Sequence, residues 1–140
     1  MSKSGRYASQ RRKVENLTAA KTITVADCGT TFLVGSADLT HTLPTVANAG
    51  QGWWCRFVVN DETQRTRISN DASDGDNMVG AFLGFTDNAV TQMSPVAGTA
   101  YDLITFTTSC VQGDWVEIYT DGTLWYCHGF GAVADVITGS

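Results

Sequence analysis

The stretch Asp114-Trp115-Val116-Glu117-Ile118-Tyr119-Thr120-Asp121-Gly122-Thr123-Leu124-Trp125-Tyr126-Cys127-His128 decides the fold. Two runs alternate apolar and polar side chains with a period of two, and Asp121-Gly122 sits between them. That alternation is the mark of a strand with one face in a core. Asp-Gly between two such runs predicts a two-residue type I′ hairpin, because both central residues must take positive φ. The turn would pair Thr120 with Thr123, Ile118 with Trp125 and Val116 with Cys127. Val116, Ile118, Trp125 and Cys127 then form one apolar face, leaving Glu117, Tyr119, Leu124 and Tyr126 on the other. The outer face is aromatic enough to serve as an interface.

The same period extends through the chain. In Trp53 to Asn60 the odd positions are Trp53, Cys55, Phe57 and Val59, predicting a core face, while Trp54, Arg56 and Asn60 face outward. Thr22-Ile23-Thr24-Val25 alternates too, and in Asp102 to Cys110 Ile104, Phe106 and Cys110 share a face across from Leu103, Thr105 and Thr107. Further strands are predicted at Thr31–Val34, Leu39–Leu43, Thr66–Asn70 and Val79–Phe85, punctuated by Gly29, Gly35, Pro44, Gly50, Gly52, Gly75 and Gly113. The 19 threonines suit the solvated faces of sheets. No window reads as a convincing helix and no internal repeat is visible. Short strands at roughly 8 to 12 residue spacing predict an all-β fold: a single β-sandwich, jelly-roll-like, or a small barrel.

A chain of 140 residues accommodates one domain, and 43% hydrophobic content suffices for a core. The net charge of −5 divides unevenly. The first thirteen residues hold Lys3, Arg6, Arg11, Arg12 and Lys13 and no acid, while the other 127 hold four basic side chains against all 14 acids, giving −10. The expected organisation is an extended basic arm over residues 1–16 and a β-domain over 17–140. The arm has too little apolar surface to fold alone and is expected to bind a partner through Lys3, Arg6, Tyr7, Arg11, Arg12 and Lys13. An acidic body and the lack of a broad basic face argue against nucleic acid and for a protein partner. Met1 to Gln10 is polar throughout, predicting no secretory signal and synthesis in a cytoplasm; no run approaches the roughly 18 to 20 apolar residues of a membrane span.

Catalytic patterns are missing. His41, between Leu39 and Leu43, reads as a core or interface histidine, and neither it nor His128 lies beside a nucleophile motif such as GxSxG. Cys28, Cys55, Cys110 and Cys127 lie far apart and are expected to be free, buried thiols; Cys127 and His128 point to opposite faces of one strand and do not form a metal pair. Asn70 to Asn77, with Asp71, Asp74 and Asp76, offers oxygen ligands but departs from the EF-hand pattern, so a solvated turn is expected. The glycine-rich Val79 to Phe85 lacks the lysine and the helix of a phosphate loop and reads as a place where backbones approach closely. No catalytic residue, metal or cofactor is expected. Trp53 and Trp125 face inward; Trp54 and Trp115 face outward, as interface residues or, in an alternative reading, as the stacking platform of a carbohydrate-binding module.

Several stretches together resemble a pattern in structural proteins of tailed bacteriophages: Leu17 to Ala20 through Val25-Ala26-Asp27-Cys28-Gly29-Thr30-Thr31-Phe32, then Thr42-Leu43-Pro44, Gly52-Trp53 to Phe57, and Gly113-Asp114-Trp115-Val116-Glu117-Ile118 with Asp121 to Tyr126. The resemblance is greatest to capsid decoration (cement) proteins. It implies a small homotrimeric protein of the virion that stabilises the outside of the capsid, with its arm anchored on the major capsid protein. Tyr119, Leu124 and Tyr126 would then suit the trimer interface, beside Trp54 and Trp115. A tail or fibre-associated protein of host attachment is the alternative within the same class.

Overall fold

After its first strand the chain passes back and forth between two sheets, and this explains a feature that hairpin reasoning does not anticipate. The computed structural model describes residues 11–62, 64–86, 89–93 and 100–140. Its elements are β1 (Lys13–Asn16), a 3₁₀ turn (Val25–Asp27), β2 (Thr30–Val34), β3 (Leu39–Thr42), a one-turn helix α1 (Val46–Ala49), β4 (Trp54–Val59), β5 (Thr66–Ser69), β6 (Met78–Thr86), β7 (Ala89–Met93), β8 (Leu103–Phe106), β9 (Trp115–Thr120), β10 (Trp125–Gly131) and β11 (Ile137–Gly139). One sheet has the order β1-β2-β4-β9-β10-β6-β7 and the other β11-β8-β5-β3. Because β2, β3, β4 and β5 alternate between the sheets, strands two apart become neighbours running the same way. Hence β2–β4 and β3–β5 pair in parallel; β1–β2 and β6–β10 are parallel as well, each pair joined by a long connection. The expected β-sandwich is the architecture found.

The core lies between the sheets. Trp125, Phe32, Phe57, Phe82, Phe106, Ile68, Ile104 and Ile118 are fully enclosed there. Burying each such side chain contributes roughly 1.5–3 kcal/mol. Phe32 and Phe57 stack at 5.2 Å, and Trp53 meets Trp125 edge-on at 5.5 Å. The odd positions of Trp53 to Val59 are buried as the alternation requires, and so are Ile104, Phe106 and Cys110.

Four expectations are corrected. The turn after β9 is a four-residue loop, not a type I′ pair: Thr120 pairs with Trp125, Ile118 with Cys127 and Val116 with Gly129. Asp121 keeps a negative φ and accepts hydrogen bonds from the N–H groups of Thr123 (2.8 Å) and Leu124 (2.9 Å), while Gly122 takes the positive φ alone. Because the shift is two residues, the side chains of both strands stay on their predicted faces, while Leu124, expected on the outer face, falls in the loop. Thr22 to Val25 makes a single bridge, Thr22 to Thr42, and then enters the 3₁₀ turn, whose Val25 carbonyl accepts the Trp53 indole N–H at 3.0 Å. Lys13–Asn16, the last four residues of the expected arm over 1–16, pair with β2 as β1 and so belong with the sheet. Cys28 is exposed, while Cys55, Cys110 and Cys127 are buried free thiols.

The close backbone approach expected in the glycine-rich segment is real. A Cβ on Gly80 of β6 would meet the carbonyl oxygen of Cys127 in β10.

Candidate functional site

Two places gather the residues that the sequence singles out: the root of the arm and the outward face of the seven-stranded sheet.

At the root, β1 lies along the free edge of β2 with Lys13 opposite Thr30 and Glu15 opposite Phe32. Lys21, from the segment returning towards β2, places its Nζ 2.8 Å from both carboxylate oxygens of Glu15 and 3.3 Å from Asp27 Oδ1, above the Phe32 ring. Lys13 adds a pair to Asp27 at 3.5 Å. Asp27 is buried, and its other oxygen accepts from the Thr24 N–H at 2.9 Å. Burial alone would raise the Asp27 carboxyl, but the Thr24 N–H and the Lys21 ammonium outweigh it and hold it below its usual range. Burial likewise pulls Lys21 down, and Glu15 with Asp27 overcomes it, leaving the ammonium above its ordinary value. Each pair here is partly solvated and is worth about 0.2–1 kcal/mol, but together they fix β1 and Lys21 to one spot. A cleft of about 270 Å³ lies inside the bend from Glu15 to Lys21.

Of the expected arm residues, Lys13 is thus a structural group paired with Asp27, and Arg11 and Arg12 are exposed just before β1. Lys3, Arg6 and Tyr7 lie outside the described residues. Sequence reading missed Glu15, Lys21 and Asp27. The signal present was Thr24 with Asp27 three residues on, the spacing at which a side chain reaches back to the first N–H of a helical turn.

Behind this cluster His41 is buried as expected. Its Nδ1 accepts the Lys21 backbone N–H at 3.2 Å, and its Nε2 has no partner among the described residues. Burial, and then the charge of Lys21, hold the ring below its usual 6.5. The unfolded chain therefore takes up a proton near 6.5 that the folded chain refuses, so the contribution is complete above that pH and is lost as pH falls through and below it. The urea midpoint is expected to drop as the buffer is taken from about pH 7.5 to about pH 5, and His41→Leu should flatten that part of the profile. An unchanged slope in the variant would assign the acid sensitivity elsewhere.

The outward face of the large sheet is unusually apolar for a face turned to water. Of the seven exposed large hydrophobics among the described residues, five project from it: Val14, Leu83, Phe85, Val90 and Tyr119. Trp54, Tyr119 and Tyr126 form one row across β4, β9 and β10, and Val58, Trp115, Phe130 and Leu83 another. Between them runs Arg56–Glu117–His128, with Arg56 Nη2 2.6 Å from Glu117 Oε2. The structure thus brings Trp54, Trp115, Tyr119 and Tyr126 together, while Leu124 sits half-buried in the loop.

These rings are poor platforms for a sugar. Tyr119 and Tyr126 stack on each other at 5.2 Å, Arg56 covers Trp115 at 4.9 Å, and the Trp54 indole packs over Gly29. The acidic loop likewise spends its groups internally. Asp71 accepts from Ser73, Asp74 accepts the Val46 N–H at the start of α1, and the Asn70 amide donates to Asn77 and to the Gly75 carbonyl. Among the described residues no three His, Cys, Asp or Glu side chains are grouped to hold a metal ion, and no helix is long and apolar enough to cross a membrane. No family model, no curated protein and no solved structure matches this chain.

Proposed function

We propose that this chain is a structural component of a bacteriophage particle, a decoration or cement protein that binds the outside of the capsid and stabilises it. The observation that carries the reading is the root of the arm. β1 and the Glu15–Lys21–Asp27–Lys13 cluster fasten the chain at the free edge of a sheet, so the basic segment before it leaves an acidic body from one fixed point. A segment with four positive charges before β1 can lie along an acidic surface of the major capsid protein, and many copies on one shell multiply weak contacts. Such a protein needs no catalyst.

Removing residues 1–12 tests it. The cut stops before Lys13 because β1 is part of the sheet. The shortened chain should melt within about 2 °C of the parent, since β1 and the core of the described residues are kept, yet bind undecorated shells at least about tenfold more weakly. Saturation of shells by the shortened chain at the parent's concentration would overturn the role of the arm.

A further inference from the structure

We propose that the outward face of the seven-stranded sheet is covered by a second copy of this chain, related by a two-fold axis that lies in the interface and runs along the strands between β4 and β9. The inference goes beyond shell binding and does not depend on it.

Charge is the first argument. Residues 14–140 carry −10, so two copies repel unless they meet where charge is cancelled. On this face the formally charged side chains projecting from the described strands are Arg56 and Glu117, directly opposite each other on β4 and β9. An axis between those strands sets Arg56 of each copy over Glu117 of the other, so the row becomes a four-membered ring of alternating charge. No buried charge is left unpaired, which is the costly outcome at an interface.

Extent is the second. The axis overlays β4 on β9, β2 on β10 and β1 on β6, so six strands take part. Six strands at about 4.8 Å spacing and about 20 Å of length give roughly 600 Å² per copy, or roughly 1,200 Å² in all, the lower bound of a stable specific interface. The apolar rows on either side of the charged one supply the contact: Trp54 and Tyr119 exchange places across the axis, as do Val58 and Trp115. Exposed aromatic and aliphatic side chains at this density mark an association surface rather than scattered surface hydrophobics.

Sedimentation velocity of the full chain over micromolar to submillimolar concentration tests the proposal. The parent should reach twice its 15.0 kDa mass. Arg56→Glu alone and Glu117→Arg alone should each weaken self-association about 100-fold, because each puts like charges together across the axis. An equimolar mixture of the two variants should restore the two-copy mass, since every contact across the axis is then between opposite charges. Rescue by mixing cannot come from an effect on the folding of either variant. A parent that stays monomeric, a three-copy mass, or variants that associate like the parent would each overturn the two-fold pairing; none of these bears on whether the shortened chain binds shells.

Discussion

Gly80→Ala is expected to lower stability by about 3 kcal/mol and the melting temperature by about 10 °C, more than any other single-methyl addition in the described sheets. Gly80 lies opposite Cys127 where β6 runs parallel to β10, with φ at +131°. An added Cβ would stand 1.9 Å from the Cys127 carbonyl oxygen and 2.9 Å from its carbon. Neither partner can give way. Cys127 is held from the other side by Ile118 of β9 and is itself enclosed, while β6 is fixed on either side of the glycine by the buried Met78 and Phe82. Relief requires β6 to part from β10, and β7, which among the described strands pairs with β6 alone, would go with it. Gly75→Ala is the control: its φ is also positive, at +66°, but the added carbon meets nothing within 4 Å, so it should cost only about 1 kcal/mol. Thermal melts of the two variants beside the parent give the comparison. A Gly80→Ala chain melting within about 2 °C of the parent would mean that β6 does not lie against Cys127.

What the sequence made legible was what a period of two encodes. Trp53 to Val59 and Val116 to Cys127 told inside from outside correctly because that choice depends only on parity, and a register error of two leaves parity intact. The register itself depends on whether Asp121 takes a positive φ or turns its carboxylate onto Thr123 and Leu124, and the dipeptide Asp-Gly permits both. The parallel pairing of β2 with β4 and of β3 with β5 was invisible because it arises from alternation between the sheets, a property of the whole path. β1 was missed because Lys13-Val14-Glu15-Asn16 has no buried side chain, and its place is fixed by β2 and by Lys21, which lies beyond it in sequence. The outward aromatic face could be foreseen from Tyr119 and Tyr126. The charged row through it could not, since Arg56 and Glu117 lie 61 residues apart.

The second large effect is expected at Asp114, which its sequence position marks only as the start of a strand. Its side chain is enclosed, with Oδ2 accepting the Val111 N–H at 3.0 Å and Oδ1 the Ala132 N–H at 2.9 Å. Its carbonyl oxygen accepts the Val59 N–H at 2.8 Å. One carboxylate therefore joins the loop before β9 to the loop after β10, beside the end of β4. Burial, and then the charge of Asp114, push the neighbouring Cys110 thiol up to about 12. Asp114→Ala removes both acceptors and leaves two backbone N–H groups without partners; hydrogen bonds to a charged acceptor contribute about 1.5–3 kcal/mol, so a loss of about 2–4 kcal/mol is expected from urea unfolding. Asp114→Asn separates charge and geometry from volume. The amide keeps one oxygen for one N–H but turns an NH₂ towards the other, so it should recover no more than about half of the loss. Full recovery by asparagine would mean that a single hydrogen bond holds the clasp. A cost below about 1 kcal/mol for alanine would mean that water replaces the carboxylate at both loops. The expected order of stability, parent above asparagine above alanine, is the one that follows from a carboxylate bridging two loops.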